Sequence, residues 1–188
     1  MKLNILHNIK NIVTVITVTM FFSCKNNFKE VQQIGILQNE PIGVADSIDV
    51  KYTEKLIDTA KVKANLLSPK MLDFSNRDFP YSEFPDGIYL IVYDKDQNKT
   101  IITADYAIYY TQTDLIDLQG HVILATHNKD TLFADQLYYD QKREWVFSNK
   151  PFKFVSTSYN SKGNIFDSDT EFKNLQTAES SGDVFIAE

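Results

Sequence analysis

The chain is poor in the residues that carry chemistry. It has one cysteine, Cys24, and three histidines in 188 residues, so an intramolecular disulfide and a cysteine-based metal cluster are both excluded. His7 falls in the N-terminal leader, and His121 and His127 lack carboxylates at metal-motif spacing, so no metal site is expected. There is no Gly-x-Ser-x-Gly, no phosphate loop with its lysine, and no thiol beyond Cys24. The chain therefore reads as non-enzymatic and cofactor-free. Lys and Arg number 19 against 25 Asp and Glu, a formal charge of −6, and the cations are scattered. A nucleic-acid partner, which needs a concentrated basic face, is excluded. Prolines are few, five in all, and no long stretch keeps a helical period.

What is abundant is aromatic. Phe and Tyr contribute 13 and 10 residues, the composition of a β-rich globular protein. One unit is written twice. The first copy runs Ile102-Thr103-Ala104-Asp105-Tyr106-Ala107-Ile108-Tyr109-Tyr110, a break at Thr111–Asp114, then Leu115-Ile116-Asp117-Leu118-Gln119-Gly120-His121-Val122. The second runs Leu132-Phe133-Ala134-Asp135-Gln136-Leu137-Tyr138-Tyr139, a break at Asp140–Glu144, then Trp145-Val146-Phe147-Ser148-Asn149. A degenerate third follows in Phe166-Asp167-Ser168-Asp169, Phe172 and Gly182-Asp183-Val184. A period of about 30 residues marks stacked units that are each too small to bury an apolar face alone. Asp105 and Asp135 occupy equal repeat positions, which points to hydrogen bonding of backbone at strand edges or turns rather than to a carboxylate pair. Trp145 and the tyrosines read as core and strand surface rather than a sugar platform.

Residues 1–23 have Lys2 and Lys10 ahead of the apolar run Ile12–Phe22, which three threonines thin. The run is short for a bilayer span and long enough for the core of a secretory signal. Ser23-Cys24 at its end is similar to a bacterial lipobox, although Phe21-Phe22 replaces the usual leucine and small residue. Cys24 would then be acylated as the first residue of the mature chain. The alternative is an uncleaved anchor with Cys24 a plain thiol. Both place the domain outside the inner membrane and tethered to it. Residues 24–45 read as linker, with an r.m.s. span of roughly 25 Å as a coil, and 46–188 as the folded domain.

In that domain Ile48, Val50 and Tyr52, then Val62, Ala64 and Leu66, alternate with polar residues as a hairpin does. A helix over Glu54–Leu67 competes, but period two fits Lys61–Leu66 better. Ser68-Pro69 is expected to end the element. Pro85-Asp86-Gly87 is a turn feeding the strand Ile88–Tyr93, and Glu83 reads as a solvated turn residue. Strands and turns then alternate about every ten residues without a convincing helix, which makes the chain an all-β sandwich, barrel or roll.

Tyr81, Glu83, Phe84, Pro85 and Gly87, the Tyr93-Asp94 strand exit, Thr103–Ala107, Gly120-His121-Val122, Phe166–Asp169 with Phe172, and Gly182-Asp183-Val184 together resemble the LptC family of the lipopolysaccharide export machine, in its Bacteroidetes form. The resemblance covers about Ile48 to the C-terminus. It implies a twisted open β-jellyroll related to LptA, whose apolar slot shields acyl chains. It also implies a periplasmic, non-enzymatic role: lipopolysaccharide is received from the inner-membrane ABC transporter and passed to an LptA-like bridge protein. Many members keep a transmembrane helix where this chain looks lipidated.

Two functions are open on this reading. One is the lipid conduit. The other is an envelope lipoprotein that binds a protein partner by strand addition at an open edge and carries no lipid. For the conduit, strand parity with the resemblance assigns the interior to Ile88, Leu90 and Val92. With Asp117 and Gln119 outward, Ile116 and Leu118 point in, and Val122 and Leu124 continue that face. Lys153 outward puts Phe152 and Phe154 inside. Acylation is directly testable: radiolabelled palmitate is expected to enter the wild type and not Cys24→Ala, and label surviving that change rejects it.

Overall fold

The computed structural model describes residues 40–55 and 60–184. The stretch read as a leader, Cys24, and the stretch read as a linker up to residue 39 lie outside the described residues. Every regular element described is a strand: β1 (Gly43–Lys55), β2 (Ala60–Phe74), β3 (Tyr81–Phe84), β4 (Ile88–Tyr93), β5 (Lys99–Ala104), β6 (Tyr106–Tyr110), β7 (Leu115–Ala125), β8 (Thr131–Asp140), β9 (Trp145–Ser148), β10 (Phe152–Val155), β11 (Tyr159–Gly163), β12 (Ile165–Asp169), β13 (Gln176–Ala178) and β14 (Ser181–Val184). They join one 14-stranded antiparallel sheet, so the fold is an all-β roll of jellyroll type. β1 opens at Gly43, inside the stretch read as linker, and its Val44 and Ala45 pair with Leu72 and Met71.

The sheet is bent along one line into two facing halves. β2 pairs β4 through Ala64–Leu67 and β3 through Leu72–Phe74. β7 pairs β5 through Ile123–Ala125 and β6 through Leu115–Gln119. β8 pairs β10 through Thr131–Ala134 and β9 through Tyr138–Asp140. Long strands thus run through both halves, while shorter ones occupy a single half. At the line the backbone leaves extended geometry. Ser47 in β1 has φ 57, Gly87 between β3 and β4 has φ 85, Gly120 and His121 in β7 have φ 73 and 43, and Glu179 between β13 and β14 has φ 52. In β7 the extra backbone is a bulge, where the register shifts between Gln119 and Val122. Such a bulge bends a strand and strengthens its twist.

Pro69 sits on the same line, which corrects the expectation that Ser68-Pro69 ends an element: β2 continues to Phe74. The proline is tolerated because a corner needs fewer ladder bonds than a flat strand. Ser68 is buried there, and its hydroxyl lies 2.8 Å from the Gly87 carbonyl. Asp105 bridges β5 and β6, and its N–H donates to the Gly120 carbonyl at 3.0 Å.

Period-two alternation then fills the space between the halves. In β4, Ile88, Leu90 and Val92 are buried and Tyr89 is exposed. In β7, Ile116, Leu118, Val122 and Leu124 are buried, and in β10 Phe152 and Phe154. They form one core with Ile102, Leu132, Leu137, Val146 and Phe166.

Gly87 is a backbone requirement of the corner. A Cβ there would stand 2.7 Å from the Ala104 carbonyl oxygen, at φ +85. Gly87→Val is expected to cost about 1–3 kcal/mol or more, read as a lowered melting temperature by circular dichroism. A variant that melts with the wild type contradicts this.

Candidate functional site

The core is filled unevenly. Towards β12, five rings close it: Phe154 meets Tyr159 at 5.3 Å, Phe166 at 6.2 Å and Phe172 at 4.9 Å between centroids, and Phe152 meets Phe166 at 5.1 Å. Towards β1 the halves diverge and leave a cavity of about 630 Å³, within the usual range for ligand pockets. Its walls are apolar: Ile48, Val50 and Tyr52 from β1, Ala64, Leu66 and Met71 from β2, Leu90 and Val92 from β4, with Phe84 and Ile116. Its rim is charged, and carries Glu54, Lys63, Asp114, Lys142 and Glu144.

The rim is tied across the opening. Lys63 Nζ lies 3.4 Å from Glu54 and 3.9 Å from Glu144, the latter on the β8–β9 turn. The Tyr109 hydroxyl donates to Asp114 at 3.0 Å. Burial, together with that carboxylate, pushes the Tyr109 phenol up to about 12.

Of the residues assigned inward from the sequence, Leu90, Val92 and Ile116 line this cavity. Ile88, Leu118, Val122, Leu124, Phe152 and Phe154 are buried in the packed core beside it. The β1 and β2 wall was missed as a wall. Its signal was present, since Ile48, Val50, Tyr52, Ala64 and Leu66 alternate, but only the register shows which surface they face.

Asp117 lies on the outward side of β7 and is nonetheless only 6% exposed. The amide of Gln119 donates to one of its oxygens and that of Gln136 to the other, each at 2.8 Å. Glu83 is no solvated turn residue, because it lies in β3 and accepts from the Tyr106 hydroxyl at 2.9 Å. The rest of that motif is structural in position: Tyr81 stacks on Phe74 at 4.7 Å, Phe84 is buried, and Pro85 leads through Asp86 to Gly87.

The repeat aspartates part company. Asp105 takes His121 Nδ1 at 2.6 Å, a side-chain partner rather than the backbone expected, and holds the imidazole above the usual histidine range. Asp135 faces the bulge from β8, opposite Gly120-His121. Asp167 of the degenerate copy lies beyond the corner, in β12, where it accepts from the indole N–H of Trp145. No cluster of metal-ligating side chains occurs among the described residues, and among them no helix is long and apolar enough to cross a membrane.

Tyr109 makes a pH prediction. Its folded-state value is raised above the ordinary 10.0, so the neutral phenol is favoured by folding and its contribution is full below pH 10, then lost as pH rises towards 12. The stability advantage of wild type over Tyr109→Phe, from denaturant unfolding, is expected to shrink across that window. An advantage that stays flat through it rejects the assignment.

A family model described as lipopolysaccharide-assembly, LptC-related, matches residues 12–175. No curated protein matches the chain.

Proposed function

The chain belongs to the LptC-related family of lipopolysaccharide assembly, and from that premise we propose that the apolar cavity is the entry of a slot carrying the acyl chains of lipopolysaccharide. Membership makes the protein a lipopolysaccharide transport component, associated with the periplasmic side of the inner membrane. The finer role is a non-enzymatic conduit. It takes lipopolysaccharide from the inner-membrane ABC transporter and delivers it to an LptA-like bridge protein, while acylated Cys24, or an uncleaved leader, holds the domain at the membrane.

The observation that carries this reading is the cavity of about 630 Å³ with apolar walls and a charged rim, the chemistry of an amphiphile site. Acyl chains would lie against Leu66, Leu90, Val92 and Ile116, and the polar headgroup would stay at the rim. Edge strands support hand-over: among the described residues β1 pairs with β2 alone and β14 with β11 alone. An unpaired edge offers its N–H and C=O groups to a neighbouring strand, and exposed Val44, Val50 and Tyr52 lie on β1. The β1 edge would face the transporter and the C-terminal strands the bridge. The same edges would serve an envelope lipoprotein without cargo, so the decisive measurement concerns the slot.

A photoreactive residue at Leu90 or Ile116 is expected to crosslink to lipopolysaccharide only while the transporter hydrolyses ATP. One at Tyr89 or Lys153, on the outer surface, is expected not to. Equal yields from the two sets remove the slot from the mechanism.

A further inference from the structure

The outer surface of the second half of the roll carries a strip of aromatic side chains that the core does not use. Its strands lie in the order β2-β3-β6-β7-β8-β9-β12, and directly paired outward residues form two rows across them. The row at the mouth of the cavity reads Phe74, Tyr81, Tyr110, Leu115, Asp140, Trp145. The row nearer the corner reads Glu83, Ile108, Asp117, Tyr138, Phe147, Asp167. Tyr81, Tyr110, Tyr138, Trp145 and Phe147 are half-buried, so none is sealed from solvent. Between ring centroids, Tyr81 stands 6.3 Å from Tyr110, Tyr110 5.4 Å from the exposed Phe79 of the β2–β3 loop, and Tyr138 5.2 Å from Phe147. From Tyr81 in β3 to Trp145 in β9 the strip spans the intervening strands, about 19 Å at the usual strand spacing.

We propose that this strip is a saccharide platform and, resting on the reading of the cavity as an acyl slot, that it receives the sugar chain of the same lipopolysaccharide molecule whose acyl chains lie inside. A sugar ring presents a face of C–H groups and an edge of hydroxyls. The first packs on aromatic rings, and the second is met by carboxylates and amides. Both kinds of partner alternate here. Asp117, between the Tyr110 and Tyr138 rings, is held at 2.8 Å by the amide nitrogens of Gln119 and Gln136, which leaves each amide carbonyl oxygen to accept from a hydroxyl. The rows hold Glu83, Asp117, Asp140 and Asp167 and no lysine or arginine, a charge that disfavours phosphate and anionic membrane lipid. Two guanidiniums at the margin are engaged, Arg77 over the Phe74 ring at 5.4 Å and Arg143 at 3.5 Å from Asp140.

Position selects which glycan. Tyr81, Tyr110 and Trp145 each adjoin in sequence a residue of the cavity, namely Ser82, Tyr109 and Glu144. Neighbours along a strand face opposite sides of the sheet, so the strip is the back of the cavity wall and begins at its mouth. Asp114 and Glu144, on the β6–β7 and β8–β9 turns, belong to the charged rim. A headgroup that leaves the slot over these turns meets Tyr110 and Trp145 next. The saccharide of a lipid held in the slot is therefore tethered beside the platform, at a high effective concentration, whereas a free glycan has no such link.

The test titrates the purified full-length chain, in mild detergent, with the oligosaccharide released from lipopolysaccharide by mild acid and then dephosphorylated, a probe without acyl chains. The readout is the emission of Trp145, the one tryptophan of the chain. A saturable change is expected. Tyr110→Leu, which keeps apolar volume and removes a ring face, should raise the dissociation constant about two- to tenfold. Phe79→Ala, in an exposed loop, should do the same with the melting temperature unchanged, and Tyr89→Leu on the other half should leave binding as it is. No change in emission overturns the proposal, as does binding indifferent to both Tyr110→Leu and Phe79→Ala. Tighter binding of peptidoglycan disaccharide than of the oligosaccharide also overturns it, and would assign the face to the cell wall. So does a silent oligosaccharide together with co-purification of the transporter that is lost on Tyr110→Leu, which would assign the face to a protein. Because the probe has no acyl chain, the slot is judged separately: crosslinks from Leu90 without saccharide binding overturn the platform alone, and saccharide binding without those crosslinks upholds the platform and rejects the slot.

Discussion

The structure depends on one constraint: among the described residues there are no helices, so a sheet with an apolar face has only itself for cover. An antiparallel sheet left open would expose that face to water, at roughly 25 cal/mol for each Å². The chain resolves this by bending every long strand on a common line, so that residues such as Leu90 and Leu124 share one core with Leu118 and Val146 from the opposite half. The bend requires backbone that extended strands do not supply. Ser47, Gly87, Gly120, His121 and Glu179 supply it in the left-handed region, with Pro69 on the same line. Folding and the cavity share this origin, since the cavity is the part of the inter-half space that side chains leave unfilled.

The two outward surfaces solve different problems. Behind the core, the second half carries Asp117, Gln119, Gln136 and Tyr138 in one hydrogen-bonded set, flanked by Phe147 stacked on Tyr138 at 5.2 Å. A carboxylate on a sheet face is tolerated there because two amides point at its oxygens, and a buried polar group without such partners would be expensive. The first half has the opposite character. Its centre is apolar, with Tyr89, Ile123 and Phe133 partly exposed on it.

Much of the fold was legible because β-structure writes its faces at period two. Lys153 between Phe152 and Phe154 shows which way that strand points, and the repeat set Asp105 and Asp135 at equivalent corner sites before any register was known. The turn before Ile88 was equally plain, since a left-handed residue after Pro-Asp is a glycine's task. What could not be read was anything decided by the far side of the sheet. Asp117 looks solvated in its own strand, and only the neighbours Gln119 and Gln136, one of them from β8, bury it. Pro69 looks like a terminator until the strand is seen to turn there. The same limit applies to the site. Leu90, Leu118 and Leu124 carry equal hydrophobic signals, yet whether a residue lines a void or fills a core depends on how far apart two distant strands stand.

The common bend line gives the roll a mechanical property. Its halves resemble the covers of a book, with Ser47, Gly87, Gly120 and Glu179 along the spine, where the long strands run on from one cover into the other. A change of angle between the covers would alter the bore of the cavity, and the spine residues already lie outside extended geometry. The Lys63 contact with Glu144 crosses the open side as a weak clasp. On the proposed reading of the cavity as an acyl slot, such a container would not need a fixed cargo shape, and lipids with different numbers of acyl chains would be held by one sequence through adjustment of that single angle.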